Sequence, residues 1–154
     1  MPAMSVSMSE TGRTERAFIP GMVPVNQRES HMHSNHQHTE HKSFQKPEEV
    51  RSFPKGKAEI LNVGGAEVGR LVFEPGWRWS THVQPLAKTA SCEAPHFQYH
   101  VSGKLAIRMD DGTEFIAGPG DITSLPKGHD AWVVGDEPVV VVDWFGASNY
   151  AKAR

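Results

Sequence analysis

CEAPHFQYHVSGKLAIRMDDGTEFIAGPGDITSLPKGHDAW, residues 92–132, alternates short apolar runs with residues that form tight turns. The dipeptides at 102–103 (SG) and 111–112 (DG) each separate two runs of strand-forming residues, which is the pattern of β-hairpins. The sequences GPG at 118–120 and PKG at 126–128 mark further turns, because proline and glycine supply the backbone angles that turns need. The stretch therefore predicts consecutive short strands whose polar side chains converge inside a small β-barrel.

The same pattern continues on both sides of this stretch. Short apolar runs recur at close spacing, and no amphipathic helix longer than two turns is indicated. Such a series of strands is typical of an all-β sandwich or barrel. The nine predicted strands cover residues 59–63, 66–73, 77–82, 97–101, 104–109, 113–117, 121–125, 131–134 and 139–145.

Composition excludes several classes of function. The chain has 154 residues and a formal net charge of −2, so it offers no basic surface for nucleic acid or acidic lipid. Its single cysteine rules out an internal disulfide framework. No apolar run approaches the roughly 18 residues that a membrane helix needs, and the N-terminal residues lack the apolar core of a signal peptide. We therefore expect a soluble cytoplasmic protein.

The composition also divides the chain into segments. Residues 1–46 are polar and predict a disordered tail, because they bury too little apolar surface to offset the entropy of ordering. Residues 47–57 predict a linker, 58–146 the barrel, and 147–154 a polar C-terminal tail. The first tail is rich in histidine, and we consider either a solvated segment that binds metal adventitiously or a metal-scavenging arm. Its histidines are His31, His33, His36, His38 and His41.

The turn residues carry a resemblance to a known family. Gly120, Pro126 and Gly128 match the second motif of the cupin superfamily, and residues 99–103 (YHVSG) occupy the place of the end of its first motif. Residues 68–145 thus resemble a cupin, and residues 128–138 (GHDAWVVGDEP) resemble a bacterial single-domain subgroup. The resemblance implies a double-stranded β-helix, the jelly-roll barrel of that family.

The resemblance also implies a metal site, but this chain departs from the usual ligands. Cupins hold a metal with a His-x-His pair, a glutamate and the histidine of the second motif. The glutamate position holds His96 here, the His-x-His positions fall on residues 90–92, where only Cys92 could serve, and the last position holds Ala131. His129 lies two residues earlier, on the same face by strand parity. A different set is indicated: Cys92, His96 and His129, with His82 or His100 as a fourth ligand.

This donor set suits a divalent metal. A thiolate with imidazoles is typical of zinc, or of iron with an open coordination position. A strand has period two, so His96, Gln98 and His100 would face the barrel interior together. The alternative is structural, because a lone cysteine is often a small buried hydrophobe and an interior histidine can be a hydrogen-bonded core residue. The sequence leaves both interpretations open.

Other side chains are candidates for contact with an organic ligand. Three tryptophans could form an apolar wall, although core packing is an alternative role for them. Asp130 could orient the imidazole of His129 or cap backbone amides in a turn. Catalytic residues stay unassigned, since no oxyanion donor accompanies a nucleophilic Cys92. The candidate ligand-binding residues are Trp77, Trp79, Gln98, Tyr99, Asp130 and Trp132.

Three functions are compatible with these observations. The first is a small-molecule-binding cupin with a non-standard Cys/His metal centre, of the oxygenase or isomerase type. The second is a metal-free ligand-binding or sensor cupin without catalysis. The third is a structural or partner-binding barrel without a pocket, which a cavity of about 300 Å³ or more would argue against. Exposed edge strands also predict a homodimer.

Overall fold

The computed structural model describes residues 38–147 and 149–152, and nine strands make up most of this part of the chain. Two single-turn helices, α1 (Trp79–His82) and α2 (Gln84–Ala87), lie between the third and fourth strands. The strands are β1 (Glu49–Phe53), β2 (Gly56–Val63), β3 (Ala66–Phe73), β4 (His96–Ser102), β5 (Lys104–Met109), β6 (Glu114–Ala117), β7 (Ile122–Leu125), β8 (His129–Val134) and β9 (Val139–Asp143).

The strands form two antiparallel sheets that face each other. One has six strands in the order β1-β2-β3-β9-β4-β7, and the other has three in the order β6-β5-β8. Gly64 and Gly65 join β2 to β3, between two of the predicted strands, and have positive φ angles of 59° and 77°. The structure confirms the predicted all-β jelly roll, and β4 and β8 bring their first residues to one end of it.

Alternating side chains fill the space between the sheets. Along β9, Val139, Val141 and Asp143 are buried, and the residues between them are partly exposed. The aromatic part of the core includes Phe73 and Trp77, whose rings stack with centroids 3.9 Å apart. Such burial is the main stabilising contribution to a small β-barrel, at about 25 cal/mol per Å² of apolar surface.

The predicted linker at residues 47–57 is wrong, because this segment holds β1 and the start of β2. The register pairs Glu49 with Ile60 and Phe53 with Gly56, so the segment gains a backbone ladder with β2. Phe53 is buried against the aromatic core, with its ring 6.5 Å from that of Trp77. Burial of this one aromatic side chain explains why the segment is a strand despite its turn-forming residues.

The predicted C-terminal tail at residues 147–154 also folds against the barrel where the structure describes it. Ala147 and Tyr150 are buried, and the ring of Tyr150 packs edge-on against that of Phe53 at 5.9 Å. The guanidinium of Arg51 donates hydrogen bonds to the carbonyl oxygens of Ala147 (2.6 Å) and Tyr150 (3.0 Å). Tyr150, an aromatic residue in a polar segment, is therefore part of the core, which the composition of the segment did not indicate.

The predicted N-terminal tail lies mostly outside the described residues, and so do His31, His33 and His36. His38 and His41 are exposed. The end of the segment contacts the large sheet: the Glu40 carboxylate accepts a hydrogen bond from the Gly64 amide at 3.0 Å. The part of the chain that contacts the barrel therefore begins before residue 46.

The segment predicted as a strand at residues 77–82 turns into α1 instead. Arg78 is still extended, with φ −146° and ψ 135°, and the helical turn starts directly after it. Trp79 and Val83 are four residues apart, so the helix places both on the face that packs into the core. Both Trp77 and Trp79 are buried, but not through the strand alternation that the sequence suggested.

Several large apolar side chains stay exposed on the outer face around β4 and β7. Phe97, Tyr99 and Val101 alternate with the buried residues of β4, and Ile122 faces the same way on the edge strand β7. The homodimer stays a prediction, although a surface of this kind favours association. Within residues 38–147 and 149–152, no helix has the length and apolar character needed to cross a bilayer.

Candidate metal centre and its cavity

Three potential metal ligands converge at the end of the barrel where β4 and β8 begin. The Sγ of Cys92 and one ring nitrogen each of His96 and His129 lie within 4.8 Å of one another, and all three residues are buried. Backbone hydrogen bonds hold Cys92 beside β8, from Cys92 N to His129 O (2.8 Å) and from Gly128 N to Cys92 O (2.7 Å). The three core members of the predicted ligand set are therefore neighbours.

Hydrogen bonds fix the orientation of both imidazoles. His129 Nδ1 donates to the carbonyl oxygen of Pro126 at 3.0 Å, and His96 Nδ1 donates to the carboxylate of Asp143. Both acceptors lack protons, so each Nδ1 must carry one and each Nε2 is left with its lone pair in the neutral ring. His96 Nε2 lies 3.7 Å from Cys92 Sγ. This arrangement matches the supporting shell that proteins build around metal-bound histidines.

Asp143, at the end of β9, anchors this arrangement and is fully buried. Besides His96, its carboxylate accepts hydrogen bonds from the backbone amides of Phe145 (3.0 Å) and Gly146 (3.3 Å). Burial by itself would raise the pKa of Asp143, but the hydrogen bond from His96 outweighs it and the pKa is lowered. Asp143 is therefore a carboxylate at neutral pH.

The thiol and imidazole form a charged pair in the metal-free protein. Burial opposes ionisation of Cys92, but the hydrogen bonds from His129 and His96 lower its pKa to about 6. Burial likewise disfavours charge on His96, whereas the Asp143 and Cys92 partners raise its pKa to about 9. At neutral pH Cys92 is a thiolate beside an imidazolium, and a thiolate is the form that binds a metal.

A cavity of about 410 Å³ opens next to the cluster. A volume in this range suits a small organic molecule and argues against a barrel without a pocket. The cavity lies at the mouth of the barrel, whereas a separate void inside the barrel has a volume of about 20 Å³. Its lining includes Trp79, Val83, Cys92, Phe145, Gly146 and Tyr150.

His82 and His100, the predicted fourth ligands, are not part of the cluster. His100 faces the interior, but it lies four residues further along β4 than His96, about 13 Å at the rise of a strand. Its Nε2 hydrogen-bonds with Thr123 Oγ1 at 3.0 Å, and burial lowers its pKa, so it is neutral. His82 lies in α1, where its Nδ1 hydrogen-bonds with the backbone of Arg78 at 2.9 Å.

The three tryptophans do not form one wall. Trp79 lines the cavity, Trp77 stacks on Phe73 inside the core, and Trp132 faces outward from β8. The ring of Trp132 contacts the guanidinium of Arg78, which lies 4.6 Å from its centroid. The predicted wall is wrong because α1 turns Trp79 away from the line of a strand and because Trp132 has the opposite parity to His129.

Of the other predicted ligand-binding residues, one faces the barrel interior and two do not. Gln98 is buried and lines the interior void, whereas Tyr99, the next residue of β4, is exposed. Asp130 lies on the outer face of β8 and accepts hydrogen bonds from Ser80 N (3.0 Å) and Arg78 Nε (2.8 Å). Neither Tyr99 nor Asp130 faces the cluster, and Asp130 does not orient His129.

Sequence reasoning missed two residues of the site, Asp143 and Tyr150. Tyr150 is buried with its ring 5.5 Å from that of His96, and burial, followed by the nearby charges of Cys92 and Asp143, raises its pKa well above the ordinary value. A carboxylate at the end of the most apolar strand was a usable signal for Asp143. The signal for Tyr150 was weaker, an aromatic residue in a polar segment.

We expect Gly146→Ala to disturb the cluster. A Cβ at this position would overlap His96 Nδ1 and the carbonyl oxygen of Pro95. Overpacking of this kind costs about 1–3 kcal/mol, so urea unfolding should show a loss of that size together with weakened metal binding. Gly118→Ala is the matched control, because a Cβ there meets no atom within 4 Å. Equal stability of the two variants would contradict the expectation.

Comparison with known proteins bears on the fold alone. No protein-family model matches the sequence, and no curated protein matches it either. A structure of unknown function from Rhizobium leguminosarum is 18% identical, with a TM-score of 0.51, and the alignment covers 70% of this chain and 96% of that one. Its likeness shows a shared fold.

Two further solved structures are similar. A Klebsiella pneumoniae protein with a double-stranded β-helix domain is 18% identical, with 74% of this chain and 89% of that chain covered and a TM-score of 0.49. A cupin-like protein from Thermotoga maritima is 18% identical, with 64% and 76% covered and a TM-score of 0.44.

Proposed function

We propose that this chain, whose strands form a double-stranded β-helix, is a metal-dependent protein of the cupin superfamily that acts on a small organic molecule. Cys92, His96 and His129 would hold the metal, with zinc or iron as the best match to these donors. The observation that carries the proposal is the orientation of the two imidazoles, whose Nδ1 atoms are both bound to acceptors. Each Nε2 is thereby the ring nitrogen that can bind a metal when the imidazole is neutral.

The donor set fits a site with an open position. Structural zinc sites close around four protein ligands, whereas catalytic sites use three and keep one position for water or substrate. Among the described residues, the only group of histidine, cysteine and carboxylate atoms close enough to share a metal has three members. A bound zinc or iron would supply Lewis acidity or, for iron, redox chemistry of the oxygenase type.

The surrounding residues would perform the binding step. Cys92 lines the cavity of about 410 Å³, so a molecule in the cavity would lie next to the cluster. Trp79, Phe145 and Tyr150 give this space aromatic surfaces, which favour an organic molecule with an apolar part. Both His96 and Asp143 are buried, so the charges of the site act in surroundings where water screens them little.

A metal-free ligand-binding protein is the second candidate. The thiolate of Cys92 and the imidazolium of His96 have opposite charges that compensate each other, so the cluster needs no metal to balance its charge. This candidate predicts that Cys92→Ser and His96→Ala leave binding of an organic ligand unchanged, while Trp79→Ala weakens it. The metal-dependent candidate predicts that the first two changes abolish it.

Metal analysis of the full-length chain tests the proposal. The five tail histidines would first be replaced by glutamine in every sample, because a histidine-rich segment can hold metal and mislead the assay. After dialysis against a weak chelator we expect about one equivalent of metal, falling below about a tenth with Cys92→Ala or His96→Ala. His82→Gln is the control and should retain the metal. The proposal would be refuted if the protein with the five tail replacements and no other change held less than about a tenth of an equivalent of metal.

A further inference from the structure

A second, much smaller space lies inside the barrel. Its volume is about 20 Å³, which is enough for one water molecule and too small for an organic ligand. His96 and His129 line it, so it adjoins the metal cluster from within. Trp79 and Tyr150 line both this void and the cavity at the mouth, and they stand between the two spaces.

Two residues that line the void carry polar atoms without a partner. The Nε1 of Trp77 and the Oε1 of Gln98 are both buried and make no hydrogen bond. Trp77 is 2% exposed and Gln98 is 3% exposed, so bulk water does not reach them. Buried polar groups in folded proteins nearly always have a hydrogen-bond partner, so we expect one for each of these two atoms.

The two atoms are complementary. An indole nitrogen can only donate, so Trp77 offers a hydrogen-bond donor. The amide nitrogen of Gln98 lies 3.4 Å from a carboxylate oxygen of Asp143, which can only accept, and the amide oxygen is thus the end that is left unpaired. A single water molecule can accept from the first atom and donate to the second.

We infer that the void is a binding site for one water molecule, held by Trp77 Nε1 and Gln98 Oε1 beside His96 and His129. The water would connect through the Gln98 amide to Asp143 and so to the hydrogen bond that orients His96. Its existence does not depend on a metal. A role for this water rests on the proposed function: it would reach the metal centre from inside the barrel, while the organic molecule would reach it from the cavity at the mouth.

Nuclear magnetic resonance on the metal-free, full-length protein tests the inference. The probe is the indole N–H of Trp77, assigned by its loss in Trp77→Phe, and the measurement is its dipolar cross-peak with water. We expect a cross-peak in the wild type, reduced at least about fivefold in Gln98→Met, because removal of the amide oxygen leaves the water one strong partner fewer. The indole of Trp144, which is 46% exposed, serves as the control and should be unchanged.

Each result decides the matter. A wild-type protein without the cross-peak has a dry void, and a cross-peak that survives in Gln98→Met shows that Gln98 does not hold the water; either overturns the inference. If Gln98→Met does not fold, electron density in the void of a high-resolution wild-type crystal decides instead. Metal content is measured separately, so a dry void leaves the proposed metal site standing, and a metal-free protein leaves the water site standing.

Discussion

Replacing Asp143 by alanine should lower the free energy of unfolding by about 3–5 kcal/mol, the largest effect expected of any single change in this site. The carboxylate is fully buried and is the partner of His96. Its loss would leave a buried imidazole and the amides of Phe145 and Gly146 without an acceptor. Urea unfolding of the metal-free protein measures the effect, and a change below about 1 kcal/mol would contradict it.

Asp143→Asn separates the two roles of this residue. The amide keeps one acceptor oxygen for the backbone of residues 145 and 146, but its nitrogen would face the Nδ1 of His96. The imidazole would then carry its proton on Nε2, which removes the lone pair that a metal needs. We expect metal affinity to fall about 10–100-fold with a smaller loss of stability than in the alanine variant.

Asp130→Asn is the matched control for that substitution. Asp130 lies on the outer face of β8 and pairs with Arg78, whose side chain is 41% exposed, so the loss should be about 1 kcal/mol or less. Metal affinity should be unchanged, because Asp130 does not contact the cluster. Wild-type metal affinity in Asp143→Asn would show that the carboxylate does not orient His96.

The sequence predicts the barrel well because local backbone geometry determines its turns. Gly120 and Gly128 have φ angles of 90° and 92°, which favour glycine, and both belong to the motif that predicted the fold. Strand parity likewise placed His96, Gln98 and His100 on the buried face of β4. These features depend on residues that are neighbours in the chain, so a single sequence displays them.

The rest of the site depends on contacts between distant residues. Parity assigns His100 to the interior but cannot say how deep it lies, and its distance from His96 along β4 excludes it from the cluster. Asp143 reaches His96 only because β9 pairs with β4, with Asp143 opposite Gln98. Tyr150 arrives by way of a C-terminal segment that Arg51 binds from β1. The sequence can mark Asp143 and Tyr150 as unusual for their segments, but residues near them in the chain do not identify their partners.

Cys92 and His96 should make the stability of the metal-free protein nearly independent of pH between about 6.5 and 9. The pKa of His96 rises from 6.5 to about 9 on folding, so its stabilisation is complete below pH 6.5 and is lost as the pH rises through 9. The pKa of Cys92 falls from 9.0 to about 6, so its stabilisation is complete above pH 9 and is lost as the pH falls through 6. Between these limits one contribution grows as the other declines.

Cys92→Ala should remove that compensation. The hydrogen bond to Asp143, the first of the partners that raise the pKa of His96, would still favour the protonated imidazole in the folded state. The contribution of His96 to the pH dependence of stability would therefore become visible. We expect the free energy of unfolding of this variant to fall by about 1–3 kcal/mol as the pH rises from 6.5 to 9, with a slope of at most about 1.4 kcal/mol per unit. Urea unfolding at half-unit steps, with a chelator present, measures the slope, and Cys92→Ala/His96→Gln should restore a flat profile. A flat profile in Cys92→Ala itself would mean that Asp143 does not raise the pKa of His96, and it would contradict the expectation.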